Sequence, residues 1–485
     1  MSSVVFRADA DRVIGSGHVM RALSLAAEFS SGGWTVGFAA SAESFASVQA
    51  LGAENIEKLT LPGARGDEAA ALARRWPTGA DVLIVDHYGR NATFERACRP
   101  WAKRIVVIDD LADREHDADV LTDAVNPATA YRALVPPACE ILAGPDFAIV
   151  HPAFRRAREA ALARRGERPV QRVLVSFGQV DPPNATMQAL AALEAAGFAG
   201  TVDVVLGKSA PHLAAVRAAT AGRVRVDVSA EEMAALMTHA DLAIGAGGVT
   251  AWERCCLGLP SILVTLADNQ LGIAAAVANS GAGIDAGPMG AGAERQLIEA
   301  LRELLTDPGR RSAMARAAAS LVDGRGAARV LLASVGSCVA GSGRKVTLRL
   351  AGADDEAWLL ALQSKPETRR FANDPSPPTS DGHRRWLAQT LADPLRLLMI
   401  AEADGNRAAM LRVDHGEAAD RVNIAVDPGY HRQGTGAAVL SLAARLRPGR
   451  VLEAEVLPGN KASLALFAGA GYRQVEKRLF RREPT

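Results

Sequence analysis

Three glycine turns in this sequence carry residue types able to do chemistry. The first is Gly15-Ser16-Gly17-His18, which follows the apolar run Val4–Phe6 and opens His18–Phe29, a stretch with helical periodicity. A strand-to-helix turn points free amides and the positive end of the helix dipole outward, where they attract a phosphate or a developing negative charge. The same field disfavours an imidazolium. His18 is therefore expected to be neutral near pH 7 and able to take a proton from water. The second turn, Gly245-Ala-Gly247-Gly248-Val-Thr250-Ala-Trp-Glu253, has glycines that let a diphosphate approach the backbone. Glu253 stands one helical turn on, placed to accept hydrogen bonds from vicinal ribose hydroxyls. The third, Asp427-Pro-Gly-Tyr-His-Arg432-Gln433-Gly434-Thr-Gly436, again opens an apolar helix and can cradle a pyrophosphate.

Each motif also has a structural reading. Gly-x-Gly is equally a tight turn with His18 capping a helix, and Thr250-x-x-Glu253 is equally a capping box. Asp86 and His87, in Asp86-His-Tyr88, read as loop caps at a strand end. Tyr430 and Tyr472 are acid candidates by residue type alone, and Glu453, Glu455 and His415 could relay a proton from an amine, but strand and loop placement gives each a structural reading too.

Composition narrows the ligands. With 55 Lys and Arg against 54 Asp and Glu, the chain offers no long-range attraction to nucleic acid or to an anionic membrane, so small ligands are expected. Five scattered cysteines lack metal-ligand spacing and disulfide regularity, and no His/Asp/Glu cluster suggests a metal. The N-terminus lacks a signal pattern, and no apolar run is long enough to span a bilayer, so a cytoplasmic location is expected. A length of 485 residues predicts two or three domains.

The elements that must hold these turns follow a pattern. Residues 1–155 alternate short apolar strands (Val82–Val85, Ile105–Ile108) with helical stretches, and residues 156–335 repeat the pattern (Val173–Ser176, Val202–Leu206, Leu242–Ile244, Ile262–Val264). This is the grammar of two Rossmann-like α/β domains. The Gly/Ser-rich stretch 336–344 reads as a flexible linker. From 345 to 485 the strands Val346–Leu350, Leu397–Ala401, Arg407–Val413 and Val422–Val426 predict an α+β domain with antiparallel pairs.

Arg7-Ala-Asp9, Gly15-Ser-Gly-His-Val-Met-Arg21, Asp86-His-Tyr88 and Asp109-Asp-Leu-Ala-Asp113 together resemble the UDP-sugar hydrolases of pseudaminic acid biosynthesis, over about residues 3–335. Those enzymes cleave UDP-2,4-diacetamido-2,4,6-trideoxy-β-L-altropyranose. The resemblance implies His18 as the base that activates water. It implies Tyr88, Asn269 and Gln270 (in Ala267-Asp-Asn-Gln270) and Arg155 as substrate contacts, with Gly17, Gly178, Gly247, Gly248, Thr250 and Glu253 on the UDP. The order of the second half, through Leu257-Gly-Leu-Pro-Ser261, looks like the donor-binding half of glycosyltransferase-B-fold enzymes. Gly178-Gln-Val-Asp181 departs from the Gly-Gly-acid pattern of the family.

Residues 345–482 resemble the GNAT N-acetyltransferases. That likeness implies acetyl-CoA as cosubstrate, held by Val426, Arg432, Gln433, Gly434, Gly436 and Asn460. Here His431 stands where the family wants Gln or Arg, and Phe467 replaces the tyrosine that often protonates the departing thiolate. The two resemblances together imply hydrolysis of a UDP-diacetamido sugar and N-acetylation of its UDP-4-amino precursor. A glycosyltransferase using a UDP-sugar donor and a non-catalytic UDP-sugar-binding module are the competing readings.

Overall fold

The computed structural model describes residues 2–10, 15–52, 56–61, 67–208, 210–219, 222–228 and 232–484. The chain divides into two compact units. One comprises residues 5–28 and 36–327; the other runs from 328 onward and takes in two short N-terminal pieces.

The larger unit is built on two sheets. The first contains β1 (Ser3–Ala8), β2 (Thr35–Ala40), β3 (Ile56–Thr60), β4 (Ala80–Asp86), β5 (Ala102–Ile108), β6 (Val120–Asp123) and β7 (Glu140–Ala143), in the order β3-β2-β1-β4-β5-β6-β7. The β2–β3, β4–β5, β5–β6 and β6–β7 pairs run parallel. The second contains β8 (Arg172–Ser176), β9 (Thr201–Val205), β10 (Val224–Asp227), β11 (Leu242–Ala246), β12 (Ser261–Thr265) and β13 (Ile284–Pro288), ordered β10-β9-β8-β11-β12-β13 and parallel throughout. This is the doubly wound arrangement in which the order reverses beside the first strand of the sheet, and ligands bind beyond the strand C-termini at that reversal.

Sequence explains why these strands are interior. Leu242–Ala246 and Ser261–Thr265 are buried along their whole length, as continuous small or apolar runs must be when helices cover both faces. Alternate residues serve opposite layers: Val173 and Val175 enter one core, while Leu174 packs into another with Trp252 and Leu263.

The C-terminal sheet is mixed. It holds β14 (Cys338–Val339), β15 (Lys345–Leu350), β16 (Arg396–Ala403), β17 (Asn406–Asp414), β18 (Asp420–Val426), β19 (Leu452–Glu455), β20 (Arg473–Gln474) and β21 (Leu479–Arg482), in the order β14-β15-β16-β17-β18-β19-β21-β20. Only β18–β19 is parallel. The α/β halves and the α+β C-terminal domain expected from the sequence are therefore present.

The linker reading of 336–344 is corrected. Cys338 and Val339 pair with Val346 and Lys345, and Ala340 donates its amide to the Arg344 carbonyl at 2.9 Å. The glycines at 341 and 343 serve the tight turn of this hairpin. The helix Gly326–Val335 runs straight into it, which is why the break between units falls at 327/328. Among the described residues, no helix is long and apolar enough to cross a membrane.

Candidate active site

The first site assembles at the C-terminal ends of β1, β4 and β5. Helix Gly17–Ser31 begins at the glycine turn and buries His18, leaving it 5% exposed. The His18 Nδ1 lies 2.5 Å from Asp86 Oδ1, the last residue of β4. Arg21, one helical turn beyond His18, donates Nε to Asp86 Oδ2 at 2.8 Å and Nη2 to Oδ1 at 2.7 Å. Its Nη1 reaches Asp110 at 3.0 Å, just past β5. Burial would raise the Asp86 carboxyl, but the Arg21 guanidinium and then the His18 ring override it and hold Asp86 well below the usual carboxylate range. An ionised Asp86 accepts a proton-bearing Nδ1, so the Nε2 of a neutral His18 is left with its lone pair.

Tyr88 stands edge-on to His18, with ring centroids 4.3 Å apart. Its hydroxyl accepts a hydrogen bond of 3.1 Å from Asn269 Nδ2 in the second half. Burial, and after it the Asp110 carboxylate, push the phenol above its ordinary value, so Tyr88 stays protonated. The two halves also approach at the glycine turns, where a Cβ on Gly17 would stand 4.0 Å from Val249 Cγ2. His18, Tyr88 and Asn269 thus lie in one chain of contacts, with Gly17 against Val249 of the second glycine turn.

Other expected contacts are spent elsewhere. The side-chain oxygen of Gln270 accepts the Leu266 amide at 3.0 Å. Arg155 donates to the Asp323 carbonyl at 3.3 Å. Around Gly178, Asp181 is buried and caps helix Ala185–Ala195 through the Ala185 and Thr186 amides, both at 2.9 Å. The acid of the altered loop therefore holds a helix end. His87 is a brace rather than a reactive group. Its Nδ1 accepts the Gly89 amide at 2.8 Å and its Nε2 donates to Asp9 at 3.2 Å.

Asp86, which the sequence reading took as a loop cap, is the carboxylate that joins His18 to Arg21. Its signal was the position, an acid closing the apolar run Val82–Val85 next to the strand that feeds the glycine turn.

The capping-box alternative for Thr250 and Glu253 does not hold, because helix Thr250–Cys256 has no side-chain cap. Burial pushes the Glu253 carboxyl up to about 8, against the smaller pull of Arg254. A carboxyl raised above its ordinary 4.5 keeps a proton that the unfolded chain has released. Its stabilising contribution is complete below that value and is lost as pH rises to about 8, by at most about 1.4 kcal/mol per pH unit. Glu253→Gln should therefore gain on the wild type in urea midpoint between pH 5 and 8. A constant difference across that range would contradict the assignment.

In the C-terminal unit, β18 and β19 pair at Asp420–Leu452 and Arg421–Glu453 and no farther, so the remainder of β18 to Val426 parts from its neighbour. The turn that follows is braced from within. Lys365 pairs with Asp427 at 2.7 Å, His431 Nε2 donates to the Val426 carbonyl at 3.0 Å, and the Gln433 amide donates to the Gly429 carbonyl at 2.7 Å. Arg432 and Gly434 both have left-handed backbones, with φ of 61° and 80°. A Cβ on Gly434 would lie 2.4 Å from the Gly341 nitrogen, so this position admits only glycine. Gly436 is packed close to Leu466. Such a cradle, closed to side chains and opening the helix Thr435–Leu446, fits a pyrophosphate. Asn460 caps helix Lys461–Gly469 through Ser463 at 3.1 Å.

Phe467 is buried edge-on against Tyr472 at 5.0 Å. Tyr430 lies under Arg344, Glu453 pairs with Arg481 and His415 with Asp420. These contacts agree with structural roles. Among the described residues, no cluster of three or more His, Cys, Asp or Glu side chains is set to hold a metal ion.

Comparison with known proteins locates both modules. Residues 222–329 match the glycosyltransferase family 28 C-terminal domain, and residues 360–472 match the acetyltransferase (GNAT) family. The spore coat polysaccharide biosynthesis protein SpsG of Bacillus subtilis is 29% identical over 256 residues, 52% of this chain and 75% of that protein. The uncharacterized protein MJ1062 of Methanocaldococcus jannaschii is 26% identical over 200 residues, 39% of this chain and 41% of that one. Among solved structures, Acinetobacter baumannii MurG aligns with 68% of this chain and 98% of its own, at 18% identity and a TM-score of 0.47. The two domain matches describe an enzyme that joins a glycosyltransferase-28-like module to an acetyltransferase module whose cosubstrate is acetyl-CoA.

Proposed function

We propose that the larger module hydrolyses a UDP-2,4-diacetamido-2,4,6-trideoxyhexose to free sugar and UDP, and that the C-terminal module acetylates the UDP-4-amino precursor with acetyl-CoA. On this reading residues 1–155 supply the base, 156–335 bind UDP and 345–485 carry acetyl transfer. The observation that carries it is the His18–Asp86 pair, which leaves an imidazole nitrogen free beside Tyr88 and Asn269.

Water loses a proton to His18 Nε2 as its oxygen bonds to the anomeric carbon. The carbon–oxygen bond to the diphosphate breaks, and UDP departs with the electron pair. UDP is a good leaving group, so positioning, deprotonation and charge stabilisation suffice. Tyr88 and Asn269 orient the sugar, with Gln270 and Arg155 supporting the surrounding loops. Gly17, Gly178, Gly247 and Gly248 give the diphosphate its approach, and Thr250 and Glu253 meet the nucleoside. The relative named for spore coat polysaccharide biosynthesis supports a carbohydrate-building context.

In the smaller module, bound acetyl-CoA supplies an activated acetyl group. The backbone from Val426 through Arg432, Gln433, Gly434 and Gly436 receives its pyrophosphate, and the Asn460 cap fixes the neighbouring helix.

The match to a glycosyltransferase domain favours a second reading, transfer of the sugar to an acceptor. Incubation of the UDP-diacetamido sugar without acceptor in ¹⁸O-labelled water separates the two. Hydrolysis releases UDP and leaves the label in the free sugar. No release without acceptor, or label in UDP, would refute it.

A further inference from the structure

A buried cation lies under the second glycine turn, and nothing in the mechanism above uses it. Arg254 is 1% exposed. Its Nη2 donates to the Ala246 carbonyl at 2.7 Å and its Nη1 stands 3.5 Å from Thr250 Oγ1. A Cβ on Gly245 would fall 2.6 Å from Nη1, so the guanidinium fills the space that a side chain at 245 would need. The glycine there admits the arginine as much as any ligand.

What Arg254 lacks is an anion. Its Nε has no hydrogen-bond partner, and among the described residues no Asp or Glu forms an ion pair with it. Its neighbour Glu253 is no substitute, since burial leaves that carboxyl mostly protonated at neutral pH. The absence of an ion pair is costly, because a buried charge ordinarily has a partner. Burial accordingly pulls the guanidinium down to about 10, still far enough up to remain charged at neutral pH.

We propose that Arg254 is a charge-selecting residue, a fixed cation beneath the Gly245–Gly248 turn whose counter-ion is the diphosphate of the nucleotide. This rests on the turn being the UDP site. Arg254 acts through the turn as a positioning residue, making it discriminate by ligand charge and strengthening its hold on UDP as the leaving group gathers negative charge.

Calorimetric titration of the full chain with UDP, UMP and uridine tests it, using Arg254→Met and Arg254→Lys. Arg254→Met should weaken UDP on the order of 10- to 100-fold, the scale of one charge acting over a short, partly buried path. Uridine should weaken less than about twofold, and the salt dependence of UDP binding should diminish. Arg254→Lys should keep most of the preference for UDP over uridine. Equal weakening of UDP and uridine by Met would mark a packing role and overturn the proposal, as would unchanged UDP affinity. If Arg254→Met does not fold, the lysine variant decides, because a wild-type fold with the preference abolished would also overturn it. Failure of the wild type to bind UDP at all would instead remove the reading of the site on which the proposal rests.

Discussion

His18→Gln should lower acceptor-free UDP release about 10²- to 10⁴-fold, the range assigned to one positioned general base. UDP affinity should change less than about twofold. The contrast follows from where the histidine sits. Its ring is held by Asp86 on one edge and meets Tyr88 on its face, while the nucleotide contacts proposed above come from the turn after β11. Glutamine retains polarity and comparable bulk but cannot accept a proton near neutral pH. Initial rates of UDP release and calorimetric titration with UDP, measured on the same preparations, check the two halves of the expectation. Full-rate release by His18→Gln would remove the enzymatic assignment of this module, and an equal loss of UDP affinity would make His18 a structural cap.

Much of this site was legible in the sequence, and the reason is local. Glycine turns between an apolar strand and a periodic helix declare themselves within a dozen residues, so the positions of His18, Gly247 and Gly434 could be read directly. Asp86 could not be, because the contact that gives it a role spans 68 residues and depends on β4 lying beside β1 in the sheet. Position at a strand end suggested loop capping; the sheet order turns the same carboxylate toward the imidazole.

Side-chain uses that close a structure onto itself were equally hidden: Gln270 is tied to the Leu266 amide, Gln433 to the Gly429 carbonyl, and Asn460 to a helix start. Composition misled at 336–344, where the glycines and serines of a hairpin turn look like those of a flexible tether. Only pairing with Lys345 and Val346 distinguishes them.

The second large effect is expected at Asp86. Changing it to Asn should cost turnover about as much as losing the base itself, on the order of 10²- to 10⁴-fold, because in this reading Asp86 acts through His18. Asp86 accepts from His18 Nδ1 and twice from Arg21. An amide offers one oxygen and one NH₂ group, so it cannot accept on both sides. If the NH₂ faces the histidine, it needs the Nδ1 lone pair, which moves the ring proton to Nε2 and disables the base. If it faces Arg21, two donors oppose each other in a buried site. Either arrangement also leaves Arg21 with Asp110 as its remaining carboxylate partner, so a stability loss of roughly 3–5 kcal/mol should accompany the kinetic one. The pH dependence distinguishes this from generic damage. Arg21 and His18 hold the Asp86 carboxyl below its ordinary 3.8 despite the cost of burial, so its stabilising charge is present above that value and is lost as pH falls through the depressed one. The gap in melting temperature between wild type and Asp86→Asn should therefore stay open from pH 8 to 5 and narrow only below about 4. A gap that closes near pH 6 would mean that histidine titration, rather than the carboxylate, sets the stability of the cluster. Wild-type turnover in a folded Asp86→Asn protein would show that the pair at the end of β4 does not prepare the base.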